Sequence, residues 1–139
     1  MHDNDDETRI RKIIQEQEGA WNAGNARRYC TRLQNEATLT SFQGHVYEGR
    51  PEIEERMSDL FANFFKGTRI SMKVRNIRSP SHAVALVDVD TELTAIKNLP
   101  PGIRASADGK LRTRLLEVFV YEKENWSVIA LYNVDVKTP

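Results

Sequence analysis

The chain has a single cysteine, Cys30, so no disulfide can form within it, and the paired thiols that staple small secreted domains are missing. Neither sign of charge is in excess: twenty basic and twenty acidic side chains cancel. That balance removes the electrostatic footprint of a nucleic-acid binder. No apolar run approaches the roughly 18 residues that a membrane-spanning helix needs. The opening MHDNDDETRI is acidic and polar, the reverse of a secretory leader with its basic start and apolar centre. There is no internal repeat and no low-complexity stretch. These absences set the expectation of a soluble cytoplasmic protein that engages neither nucleic acid nor membrane. With 139 residues, the chain can bury one core without staples.

What is present is helical first and extended afterwards. Ile10, Ile13, Ile14, Gln17 and Trp21 recur at helical spacing and predict a first helix over residues 7–21, with 1–6 as a disordered tail. The stretch AWNAGN then breaks it. Asn22 and Gly24 both tolerate positive φ, and Asn25 can cap a second helix, expected over 26–34 with Tyr29, Cys30 and Leu33 inward. ATLTSFQG alternates and turns at Gly44, and HVYEGR continues it, which predicts a hairpin. Pro51, followed by Glu52, Glu54 and Glu55, opens a third helix that runs to about residue 65, and Gly67 stops it. Four strands follow: RISMKVRNI, AVALVDVDTELTA, KLRTRLLEVFVYE and WSVIALYNVDV. Their turns are expected at Ser79-Pro80-Ser81, Asp108-Gly109 and Glu124-Asn125. The long connection over 97–110, with Leu99-Pro100-Pro101-Gly102 at its centre, is expected to be a lid or a dimer arm. Helices followed by antiparallel strands indicate an α+β protein, a curved sheet with helices on one face, as a single domain over 7–139.

Several side chains are candidates for chemistry. Glu117 lies in LLEVFVY and by alternation shares a face with Leu115, Phe119 and Tyr121. Two placements are open to it. On the inner face, desolvation would raise its pKa and leave a neutral donor or a poised acid–base group. On the outer face it would pair with a cross-strand Arg or Lys. Asn133 and Asp135 share a face in YNVDV, where Asp135 is either a second pocket carboxylate or a solvated strand end. Asp88, Asp90 and Glu92 form a period-two stripe best read as cross-strand ion pairs with Lys73, Arg75, Arg112 or Arg114, not as a metal site. Trp21, Phe42, Phe64 and Phe65 read mainly as core, and Phe61 as the aromatic for a pocket. Cys30 reads as a small buried hydrophobe, and His2, His45 and His82 as surface groups. Both faces of LLEVFVYE are apolar, so a second copy is expected to cover the outer face as a homodimer.

AWNAGN, then NEATLTSFQG, then YEGRPEI resemble the opening of the SnoaL-like and ketosteroid-isomerase-like proteins of the nuclear-transport-factor-2-like superfamily. The ending, LPPGI followed by LRTRLLEVFVYEKENWSVIALYNVDVK, is similar to the SgcJ/EcaC branch of the SnoaL-like proteins. Across residues 7–137 the resemblance implies a cone: a curved antiparallel or mixed sheet with three N-terminal helices on its concave face. It implies a hydrophobic small-molecule ligand, no cofactor and no metal. The activity it suggests is a cofactor-independent cyclase, dehydratase or isomerase acting on a polyketide-like metabolite of secondary metabolism. A non-catalytic binding or dimerisation module of the same fold is the alternative. Carried over position by position, the isomerase base falls on Ser41, the donor tyrosine on Gln17, the protonated acid on Glu117, and a second pocket tyrosine on Met57. Serine cannot take a carbon-bound proton unaided at neutral pH, so steroid-type isomerisation is not expected. Residue pattern and resemblance together make Glu117 and Asp135 the expected catalytic residues, with Gln17, Ser41, Met57, Phe61, Phe119 and Asn133 against the ligand.

Overall fold

Three helices and six strands make up the computed structural model, which describes residues 4–137. The first helix, α1 (Asn4–Asn22), places Asp5, Asp6 and Glu7 in its opening turn, where carboxylates suit the positive end of the helix dipole. It begins inside the stretch expected to be a tail. The Trp126 indole N–H donates to Asp6 at 3.2 Å, which ties that first turn to the sheet; residues 1–3 lie outside the described part. Gly24 adopts a φ of +66°, and the Asn25 N–H closes α1 on the Ala20 carbonyl at 2.9 Å. Asn25 caps α2 (Ala26–Tyr29), its side chain accepting from the Arg28 N–H at 3.0 Å.

That second helix is only four residues long, against the nine expected over 26–34. Cys30 and Leu33 are buried as anticipated, but Leu33 already opens β1 (Leu33–Thr40). Inward residues three apart fit a helix stripe or a turn leading into a strand, and pairing with the sheet decides the matter here. β1 and β2 (Val46–Glu48) form the expected hairpin. The third helix, α3 (Arg50–Ala62), starts with Pro51 near its N-terminus and ends three residues earlier than expected.

The remaining strands are β3 (Arg69–Ser81), β4 (Val84–Thr94), β5 (Leu111–Glu122) and β6 (Asn125–Asp135), in the sheet order β2-β1-β6-β5-β4-β3. β1 runs parallel to β6 and every other pair is antiparallel, so the sheet is mixed, curved and unclosed. Two turns shift from their expected places. The β3–β4 reversal falls at His82-Ala83, and Pro80 sits within β3, which tolerates it as an edge strand. The β5–β6 turn uses Lys123 and Glu124, both at positive φ (51° and 64°), a demand of the two-residue hairpin that outweighs their preference.

The concave face carries Val87 and Val89 of β4, Leu115 and Phe119 of β5, and Val128 and Leu131 of β6, all buried against Ile10, Ile14, Ile53 and Met57 of the helices. The convex face has two halves. One holds cross-strand ion pairs: Asp90 with Arg75 (3.4 Å) and Glu92 with Arg112 (3.2 Å) as expected, and Asp88 with Arg78 (3.6 Å), a partner not among those expected. No group of three or more potential metal ligands occurs among the described residues. The other half exposes Val46, Tyr132 and Val134. Among the described residues no helix is long and apolar enough to cross a membrane.

Candidate functional site

Strand alternation puts Glu117 on the concave face, in register with Val87 on one side and Leu131 on the other. Both neighbours are buried and apolar, and the Glu117 side chain is itself fully buried. Of its two sequence-level placements, the structure takes the inner one. α1 supplies the one polar partner: Gln17 Nε2 donates to Glu117 Oε1 at 2.8 Å. Glu117 Oε2 and Gln17 Oε1 are buried without partners. Burial raises the carboxyl pKa to about 7, and the hydrogen bond from Gln17 opposes that rise only in part. A carboxyl at this value can give or take a proton near neutral pH. Tyr29, at the end of α2, is close enough to feel it. Burial first, and the Glu117 carboxylate second, push the Tyr29 phenol above its ordinary range. Cys30 is pushed up to about 12 by burial, then by Glu54 against the opposing pull of Arg50, so its thiol is inert.

Next to Leu115, the helices do not fill the cone. They leave a cavity of about 120 Å³, walled by Trp21, Tyr29, Met57, Leu60 and Phe65 from the helical layer and by Leu39, Met72, Leu93 and Leu115 from the sheet. Trp21 is held in place by its indole N–H, which donates to Thr68 at 3.1 Å, and by Phe61 edge-on at 5.0 Å. Polar side chains reach the cavity from Ser41, Thr91, Thr113 and Asn133. The two threonine hydroxyls bond each other. Asn133 Oδ1 is buried without a partner. Ser41 Oγ accepts from the N–H groups of Gln43 and His45, each at 3.3 Å. The 97–110 connection is fastened to this rim, where Gln43 Nε2 donates to the Pro101 carbonyl at 2.7 Å.

The candidate residues therefore divide. Ser41, Met57 and Asn133 line the cavity. Gln17 and Glu117 meet each other behind its wall. Phe61, the aromatic expected at the pocket, supports Trp21 and Tyr29 from outside, and Phe65, expected in the core, lines the wall instead. Phe119, fully buried between Ala85 and Val128, is core and not a ligand contact. Asp135 does not line the cavity: it lies at the end of β6, paired with Lys137 Nζ at 2.7 Å. Sequence reasoning passed over Tyr29, Thr91 and Thr113. A usable signal existed: inward-facing strand positions that are polar, which in this sheet include Thr91, Thr113, Glu117 and Asn133.

No family model matches the chain, and no curated sequence matches it. Solved structures do match in shape. A domain of unknown function with a cystatin-like fold from Nostoc punctiforme is 26% identical, with a TM-score of 0.82 over 99% of this chain and 81% of that one. An NTF-2 like protein from Shewanella oneidensis is 16% identical, with a TM-score of 0.68 over 92% of this chain and 98% of that one. A ketosteroid isomerase-like protein from Erwinia carotovora is 13% identical, with a TM-score of 0.77 over 98% of this chain and the whole of the other.

Proposed function

We propose that this nuclear-transport-factor-2-like cone binds a hydrophobic, polyketide-like metabolite and performs cofactor-independent acid–base chemistry on it, of the cyclase, dehydratase or isomerase type. The similarity of its ending to the SgcJ/EcaC branch supports that substrate class. One observation carries the reading: a fully buried carboxyl, Glu117, with a pKa of about 7 and one oxygen free of partners. Leu115, the preceding inward residue of β5, is on the cavity wall, so Glu117 stands one inward position behind it. Proton transfer needs a substrate atom within hydrogen-bond reach of that carboxyl. A cavity of about 120 Å³ takes a single ring. A larger substrate requires the 97–110 connection to act as a lid that lifts from Gln43.

A second reading, a binding module without chemistry, is favoured by Ser41 in the position of the family's base and by the wall between Glu117 and the cavity. Mass spectrometry of compounds that co-purify with the protein separates the two. Turnover of the bound compound by wild type and its return unchanged from Glu117→Gln supports the enzyme; return unchanged from both leaves the module.

The protomer pairs with a second copy through its convex face. Val46, Tyr132 and Val134 are exposed beside half-buried Leu116 and Val118, and the adjoining ion pairs interleave both signs, which makes the face complementary to itself. Light scattering should report a dimer that Tyr132→Glu dissociates. A monomeric wild-type mass at micromolar concentration removes this part of the proposal.

A further inference from the structure

We infer that the cavity selects a neutral single-ring phenol, its hydroxyl bridging Ser41 and Asn133. The inference rests on the cavity being a ligand site, and its argument is one of hydrogen-bond arithmetic. A serine hydroxyl has two acceptor positions and one proton. At Ser41 the N–H groups of Gln43 and His45 occupy the acceptor positions, each at 3.3 Å, and the proton has no acceptor in the protein. Ser41 therefore has a donor left over. Asn133 Oδ1 is buried and accepts nothing, so Asn133 has an acceptor left over. A buried polar atom without a partner is costly, and most such atoms in folded proteins are satisfied.

Both residues line the same cavity, and the sheet sets them side by side on its wall. Thr40 of β1 pairs in parallel register with Tyr132 of β6, so Ser41 and Asn133 are the next positions on adjoining strands. One ligand atom that accepts from Ser41 and donates to Asn133 is a hydroxyl. A carbonyl, ether or nitrile accepts only, and would leave Asn133 unsatisfied. A carboxylate or ammonium is excluded by the walls, which contain no charged side chain. Thr91 and Thr113 do not compete, because the Thr113 hydroxyl donates to that of Thr91, which in turn donates to the Thr113 carbonyl at 3.5 Å.

The body of the ligand follows from volume and lining. About 120 Å³ is close to the roughly 150 Å³ of an apolar cavity that takes up benzene. Trp21, Tyr29 and Phe65 offer ring edges and faces, and Met57 and Met72 offer sulfur, all suited to an aromatic ring.

Titrating the protein with phenol, toluene and benzonitrile, followed by NMR, tests this directly. The three are alike in size; phenol alone both donates and accepts, benzonitrile only accepts, and toluene does neither. Phenol should bind about tenfold more tightly than either of the others, the advantage expected of a newly satisfied buried pair. Asn133→Leu should bring phenol to the toluene level while leaving toluene within about twofold. Ser41→Ala, at a half-exposed turn, should remove part of the same advantage and serves if the first variant does not fold. Equal binding of phenol and toluene, or benzonitrile binding as tightly as phenol, overturns the hydroxyl inference while the cavity stands as a binding site. Binding of none of the three overturns both.

Discussion

Glu117 and Asp135 are carboxylates on neighbouring strands, directed to the same face of the sheet, yet their surroundings differ in kind. Asp135 is 19% exposed and reaches Lys137 at 2.7 Å; that lysine side chain is 76% exposed, so a solvated cation compensates its charge and water screens the pair from the lysine side. Glu117 is fully buried and meets a neutral amide, which stabilises one of its oxygens and offers no compensating charge. The residue type is nearly the same; the difference is about four residues of strand. What separates a solvated acid from one with a raised pKa is the depth at which the helices cover the sheet, and the charge of whatever they place opposite.

The comparison can be broken most decisively through pH. A raised folded pKa means the native state holds its proton longer than the unfolded chain does. The contribution of Glu117 to wild-type stability should therefore be highest below the ordinary value of 4.5, fall as pH rises toward about 7, and level off above that, read as the difference between wild type and Glu117→Gln at each pH. A span of that size corresponds to a loss on the order of 3 kcal/mol. Glu117→Gln should melt without that loss and exceed the wild type at pH 8. A wild type that gains stability relative to Glu117→Gln over this window would place Glu117 among the ordinary, paired carboxylates.

A smaller effect is expected from Gln17→Leu, which keeps volume and removes the bond that holds the Glu117 pKa down. The pH window should extend upward, and urea unfolding at pH 8 should show a loss of about 1–3 kcal/mol, with little change at pH 4. An equal loss at both pH values would mean that Gln17 contributes packing alone. The smallest effect belongs to the other carboxylate. Asp135→Asn should change stability by less than about 1 kcal/mol and leave the pH profile where it was. A larger change would erase the contrast between the two sites.

The sequence carried the fold class and element order, because long strands with clean alternation admit one reading. It was weaker where two periods coincide. Tyr29, Cys30 and Leu33 suit a helix or a turn entering a strand, and β1 was shortened at its start for that reason. Pro80 marked a turn by composition, yet an edge strand has room for it. For the site, alternation brought Glu117 to one of two faces, and Gln17 lies on the inner stripe of α1, but their contact depends on how α1 crosses the sheet. The cavity was least legible. Its wall draws Trp21, Met57, Met72 and Leu115 from four separate elements, and no spacing along one element reports a gap between several. Choosing Phe61 over Phe65 failed for the same reason: both are buried, and the turn after α3 decides which ring meets the void.

The position of β6 in the sheet has a consequence for how the chain is made. β6 lies between β1 and β5, and Leu33 of β1 finds its strand partner only in Val128. While the ribosome is still adding β3 to β5, the β1–β2 hairpin is open along β1 as well as along the edge strand β2, with no further strand beside it. Contacts of such sequence separation slow folding, because the chain must close a long loop before they reward it. In that interval the open edge of β1 is available to other nascent chains. Joining the β1–β2 hairpin to the β3–β5 strands, which completes the cone, thus waits on the synthesis of β6.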